Sequence, residues 1–275
     1  MSLIMKVAGA DFSASGLPKL KQTVLGFPAD GLAGLYLFED GAVDTAHVGA
    51  FADSSGRKND AVLFSDFAAP VNRSYGLEVT DSSGLILNTG IKQGNNFTIL
   101  MCANLTMDAD LSTGYPIYTG DTGNSIPATK GSIGANSPRL VLNTSLGGSE
   151  VDTNGLYSEG TLYTKGISRI AVSKGAYGGA NQPGILAFSV AGNDVNFRSQ
   201  SGYGFAYTDE DITDGYASLN EDIVLGLWKH GTGSAISGRL YGFAVYDRGL
   251  SDSEMSEAMA AMNTRVSARG VAVVS

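Results

Sequence analysis

Along most of the chain, short apolar runs alternate with turn-forming residues. Leu35-Tyr36-Leu37-Phe38 is strand-like and stops at Glu39-Asp40-Gly41. Leu85-Ile86-Leu87 runs into Asn88-Thr89-Gly90, and Phe97-Thr98-Ile99-Leu100-Met101 follows Gly94-Asn95-Asn96. Further runs occupy 139–142, 169–173, 184–190, 223–228 and 238–246. Many short strands punctuated by Gly, Asn and Asp predict a sandwich or barrel. No helical pattern of about 10–15 residues falls between them, as a parallel α/β sheet requires. Within 239–246, alternation puts Leu240, Gly242, Ala244 and Tyr246 on one face and Tyr241, Phe243 and Val245 on the other. The second set is expected to face the core. Trp228 ends a mostly apolar run and is expected to pack.

The period changes near the end. Ser251-Asp252-Ser253-Glu254 has the form of a capping box, in which Ser251 caps free amides and Glu254 reaches back. Met255, Ala258, Met259 and Met262 then recur at helical spacing, which predicts a helix over 252–264 with one apolar stripe. Arg265 to Arg269 fit a frayed end. Residues 1–31 lack a lasting period, with Leu17, Leu20, Val24, Leu25 and Phe27 as isolated apolar anchors. Such a segment cannot build its own core. The expected division is therefore an arm, 1–31, followed by one sandwich over 32–275.

Composition agrees with this pattern. Thirty-seven glycines in 275 residues fit many turns, and 43% hydrophobic with 16% charged residues is a globular composition. The lone cysteine, Cys102, lies in the run Thr98 to Cys102. It rules out an intramolecular disulfide and is expected to be a small core residue. His47 and His230 are the only histidines, and without a Cys/His cluster no zinc site is expected. Both histidines are expected to be solvated or locally hydrogen-bonded. A net charge of −9 disfavours nonspecific nucleic-acid binding. No apolar stretch approaches the ~18 residues of a membrane span. Met1 to Lys6 lack a charged leader followed by an apolar core, so no signal peptide is expected.

Two stretches carry a family resemblance. Gly34-Leu35-Tyr36-Leu37-Phe38-Glu39-Asp40, followed by the turn Asp53-Ser54-Ser55-Gly56, resembles the opening of laminin-G-like jelly rolls of the concanavalin A-like class. The run Gly238 to Glu254, with Tyr246-Asp247-Arg248-Gly249-Leu250-Ser251, is similar to that family's closing strand, corner and terminal helix. Gly94 to Ile99 resembles its central strand. The resemblance covers about 32–262 and implies an all-β, two-sheet antiparallel jelly-roll sandwich with a short C-terminal helix. It does not choose among lectin, adhesion, glycanase and virion functions. Lys6 to Pro18 resembles the N-terminal segments of some bacteriophage tail and fibre-type proteins. That implies assembly with other virion proteins through the arm, a homo-oligomer, and a place on the virion after synthesis in the host cytoplasm.

Candidate chemistry is sparse. Glycanases on this fold present paired carboxylates on one strand, and no Glu-x-Asp-x-Glu run occurs. Glu39 and Asp40 are adjacent, so a continuing strand would point them to opposite faces. The chain is therefore expected not to be an enzyme. Asp209, Asp211 and Asp214 cluster hard oxygens that suit Ca2+, with Asp40, Asp44 and Asp53 as an alternative set. Tyr177 with Asn181, and Tyr203 with Tyr207, have glycine neighbours that leave the rings open to stack on sugar faces. The leading expectation is a noncatalytic virion surface protein displaying a lectin-like jelly roll for surface glycans or for assembly. A freestanding lectin-like module and a glycanase with an atypical site stand as alternatives.

Overall fold

A computed structural model describes residues 23–63, 69–79, 85–92, 94–106, 115–116, 118–119, 139–146, 156–163, 169–176, 183–192, 194–201, 204–211, 222–227 and 237–273. In chain order the strands are β1 (Thr23–Val24), β2 (Phe27–Pro28), β3 (Leu32–Tyr36), β4 (Val62–Leu63), β5 (Val71–Arg73), β6 (Gly76–Val79), β7 (Leu85–Lys92), β8 (Phe97–Thr106) and β9 (Tyr115–Pro116). There follow β10 (Tyr118–Thr119), β11 (Arg139–Leu146), β12 (Leu156–Tyr163), β13 (Arg169–Ala176), β14 (Gly184–Ala191), β15 (Asp194–Ser201), β16 (Gly204–Asp211), β17 (Asp222–Leu227) and β18 (Ser237–Tyr246). One helix, α1 (Asp252–Ser267), closes the order.

The fold is an all-β antiparallel sandwich. Its large sheet runs β16-β15-β14-β8-β18-β6-β5, with β3 also paired to β18. A second sheet, β10-β17-β7-β4, covers one face, and β13-β12-β11-β9 form a third. Phe97, Ile99 and Met101 of β8, Leu186 and Phe188 of β14, and Phe243 and Val245 of β18 meet Leu87, Ile91, Ile223 and Leu225 across the first core. On the opposite face Leu100, Cys102, Ile185, Ala187, Ala244 and Tyr246 pack against α1. Burial of each large side chain stabilises the fold by about 1.5–3 kcal/mol relative to exposure. Cys102 is wholly buried, and burial pushes its thiol pKa up.

Here the alternation expected in 239–246 is corrected. Both faces of β18 are buried, and the pairing with β8 slips between Leu240 and Gly242. This bulge sends Leu240 into the first core and Tyr241 to the helix side. Gly242 lets the helix approach, because a Cβ there would lie 2.5 Å from Met262 Sδ. The turn expected at Asn88-Thr89-Gly90 is also absent. Strand β7 continues through it, with Gly90 at φ 66° and a slipped register against β17.

The closing corner matches its sequence. Ser251 accepts from the Glu254 amide, and the Glu254 carboxylate accepts from the Ser251 amide. Met255, Ala258, Met259 and Met262 are all buried. The helix runs to Ser267, three residues beyond the expected end. Residues 23–31 belong to the folded unit. Phe27 is fully buried against the helix side, and the Asp247 amide donates to the Gly31 carbonyl. The arm's residues 1–22 and Trp228 lie outside the described residues.

Arg248 locks this corner. Its Nη2 donates to Glu254 Oε1 at 2.7 Å and its Nη1 to Oε2 at 3.1 Å. The guanidinium bonds, helped by the Ser251 cap, lower the Glu254 pKa from 4.5 to about 2. A carboxyl depressed by folding stabilises the native state above pH 4.5, and that contribution fades as pH falls toward 2. After solvent screening it amounts to about 1–2 kcal/mol. Urea midpoints should therefore fall more steeply for the wild type than for Glu254→Gln between pH 5 and pH 2. A gap between the two that does not change with pH would contradict this assignment.

Candidate functional site

The open edge of β3 is sealed by a carboxylate. Asp53 Oδ1 accepts from the Leu35 amide at 2.9 Å and from the Ser55 amide at 2.8 Å. Its Oδ2 accepts from Ser55 Oγ at 2.7 Å and from the Asn59 amide at 3.0 Å. The Ser54 amide donates to the Leu35 carbonyl, and Asn59 Nδ2 donates to the Ala33 carbonyl. Tyr36 Oη completes the loop by donating to the Asn59 carbonyl at 2.5 Å. The Asp-Ser-Ser-Gly turn thus does what a neighbouring strand would do for β3.

Beyond Tyr36 the strand ends, and Phe38 adopts φ 54°. Period-two alternation therefore no longer applies, and Glu39 and Asp40 line one cleft rather than opposite faces. The cleft has a volume of about 310 Å³ and sits on the rim of the sandwich. Val43 follows on the same loop, Asn72, Arg73 and Ser74 come from the β5–β6 hairpin, and Arg269 comes from the turn after α1. Gly41, at φ 111°, permits the close approach of loop and hairpin, since a Cβ there would lie 2.3 Å from Asn72 Nδ2.

The charged groups of the cleft are held by one another. Arg73 Nη1 donates to Asp44 Oδ1 at 2.6 Å and its Nε to Glu78 Oε2 at 2.5 Å. These two bonds raise the guanidinium pKa. Arg269 donates through Nη1 to the Leu37 carbonyl at 2.8 Å and through Nη2 to the Tyr241 carbonyl at 2.6 Å. Its Nε faces Glu39 Oε1 at 3.6 Å, and Arg265 Nη2 faces Glu39 Oε2 at 4.0 Å. Burial lowers the Arg269 pKa, and Glu39 opposes the shift. Asp40 Oδ2 accepts from the Ala52 amide at 3.2 Å. His47 is buried, stacks on Phe51 at 3.8 Å between centroids, and donates through Nδ1 to Asn72 Oδ1 at 2.8 Å. Of these groups, Asp40 and Asn72 line the cleft, and His47 stands behind Asn72.

Several expected site residues can be placed and others cannot. Tyr177, Asn181, Tyr203, Asp214 and His230 lie outside the described residues. Tyr207, Asp209 and Asp211 occupy β16, paired with Arg198, Asn196 and Asp194 of β15. Asp40, Asp44 and Asp53 accept from the Ala52 amide, from Arg73, and from the Leu35 and Asn59 amides respectively. Among the described residues, no three His, Cys, Asp or Glu side chains gather as a metal-holding group. Sequence reasoning noticed Glu39 and Asp40 but missed Asn72, Arg73, Ser74 and Arg269. Gly41 ahead of Val43 was the one local hint of a close approach.

Arg269 ties the C-terminal turn to the exit of β3 and to β18, so Arg269→Ala should cost about 2–4 kcal/mol in urea unfolding. Arg269→Lys should recover less than half of this, because one ammonium cannot span both carbonyls. A substitution that leaves the midpoint unchanged would remove the turn from the fold's support.

No protein-family model matches the chain, and no curated protein matches its sequence. Solved structures do share its fold. The botulinum neurotoxin serotype D ligand-binding domain in complex with N-acetylneuraminic acid superposes with a TM-score of 0.52 at 14% identity, over 85% of this chain and 51% of that one. Trypanosoma rangeli sialidase gives 0.51 at 13% identity, over 85% and 33%. A GH54 α-L-arabinofuranosidase soaked with a cyclic sulfate inhibitor gives 0.51 at 14% identity, over 78% and 50%. The chain thus spans a third to about half the length of these proteins, and what it shares with them is a jelly-roll-like β-sandwich.

Proposed function

We propose that the chain is a noncatalytic, lectin-like module that binds glycans and is displayed on a bacteriophage-type particle. The observation that carries the glycan reading is the rim cleft, where carboxylates, an amide and a hydroxyl converge beside the exposed Val43. Such a mixture answers sugar hydroxyls, each of which both donates and accepts. A fold shared with a toxin domain solved with N-acetylneuraminic acid supports the same reading. A noncatalytic role is supported by the ties on the acids. Asp44 and Glu78 are bonded to Arg73, Glu39 sits between two guanidiniums, and Asp40 holds a backbone amide. A glycosidase instead needs one carboxyl kept protonated opposite a second. The virion assignment rests on the resemblance of Lys6 to Pro18 to tail and fibre-type segments.

The packing of Phe27 against the helix side supports placing the division between the two roles ahead of residue 23. Removal of residues 1–22 should leave the folded unit and its glycan binding intact while abolishing assembly with particle proteins. A cut after residue 31 should also destabilise the sandwich. The full chain should bind a subset of a broad glycan array and release no shorter products from polysaccharides. Absence of any glycan binding would overturn the module reading, and cleavage products would overturn the noncatalytic one. Normal incorporation of the chain lacking 1–22 would overturn the arm's anchoring role.

A further inference from the structure

We infer that the rim cleft takes a neutral sugar through two adjacent hydroxyls and discriminates against sialic and uronic acids. This rests on the glycan-binding reading and adds the site and the chemical class of its ligand. The cleft's volume, about 310 Å³, lies at the small end of ligand sites, which suits a single sugar unit rather than a long chain. Its arginines are the obvious partners for an acid, yet their hydrogen-bonding forks are already engaged. Arg73 gives Nε and Nη1 to Glu78 and Asp44, and Arg269 gives both Nη groups to backbone carbonyls. A carboxylate entering the cleft would have to compete with these bonds for a two-pronged grip on either guanidinium. The charged lining, Glu39 and Asp40 against Arg73 and Arg269, is balanced, and with Asp44 and Glu78 behind Arg73 and Arg265 beside Glu39 the surroundings carry one negative charge in excess.

The remaining polar atoms suit hydroxyls. Glu39 makes only long ion pairs, 3.6 and 4.0 Å, so its oxygens can still accept. Asp40 uses Oδ2 on the Ala52 amide, which leaves Oδ1. His47 fixes the Asn72 amide by occupying Oδ1, which leaves Nδ2 to donate on the cleft side, next to Gly41. An acceptor carboxylate paired with a donor amide is the complement of a vicinal diol, in which one hydroxyl donates while its neighbour accepts. Val43, 54% exposed, supplies an apolar wall for the C–H face of the ring.

The test titrates the full chain by saturation-transfer NMR and calorimetry with five probes: methyl α-D-mannopyranoside, methyl α-D-glucopyranoside, methyl β-D-galactopyranoside, N-acetylneuraminic acid and D-glucuronate. At least one neutral glycoside should bind at least tenfold more tightly than either acid. Glu39→Gln should weaken that glycoside at least fivefold while strengthening the acids, a crossing that general destabilisation cannot produce. Val43→Trp, at an exposed position, should fill the cleft and abolish binding without moving the thermal midpoint. Acids that bind as tightly as the neutral glycosides would overturn the ligand class. Neutral binding untouched by both variants, or lost instead with Tyr203→Ala, would overturn the site while leaving the glycan-binding module standing. A chain that binds array glycans but none of the three neutral glycosides would likewise overturn this inference alone. No binding on the array or in titration would overturn both readings.

Discussion

The middle of the large sheet, strands β8, β14 and β18, is apolar on both faces, and the rest of the molecule follows from the need to cover it twice. Strands β8, β14 and β18 send Ile99, Phe188 and Phe243 one way and Leu100, Ile185 and Tyr246 the other. An antiparallel sheet can leave one face to water only when that face is polar. Here the second sheet takes one face, and a single helix with a methionine stripe takes the other. That helix must start at a defined point and lie close. The Ser251–Glu254 box sets the start, Arg248 clamps it to the corner, and Gly242 removes the side chain that would hold Met262 away.

The rim cleft is a by-product of the same closure. Where β3 leaves the sheet, its outer edge is satisfied by the Asp53 loop, and its exit carries Glu39 and Asp40. Where α1 ends, the next turn brings Arg269 back onto the carbonyls of Leu37 and Tyr241. The two chain ends of the sandwich therefore meet beside the β5–β6 hairpin. The polar groups gathered there serve the fold first, and their leftover hydrogen-bonding capacity is what a ligand can use. Arg73 and Arg269, the two arginines that line the cleft, both spend donors in this way.

The two ends of the sandwich were legible in sequence because their signals are local. Asp53-Ser54-Ser55-Gly56, the capping box and the spacing of Met255, Met259 and Met262 each depend on a few neighbouring residues. The bulge at Tyr241 was not legible, because it depends on how β18 meets β8 across the sheet. Strands β5 and β6 were missed because Val71-Asn72-Arg73 and Gly76-Leu77-Glu78-Val79 are short and half polar. The cleft was hidden for another reason. It joins residues 39–43, 72–74 and 269, which are brought together only by tertiary structure. Glu39 and Asp40 misled because alternation was extended past the point where Phe38 turns the chain.

A jelly-roll sandwich by itself fixes no activity; the weight of the account falls on the rim where the two chain ends meet. Hydrogen–deuterium exchange of the full chain, with and without a saturating neutral methyl glycoside, tests that placement most directly. The account requires added protection at the amides of residues 38–43 and 72–74, with the strands of the large sheet unchanged. Protection confined to other segments, with 38–43 and 72–74 exchanging as in the free chain, would contradict it.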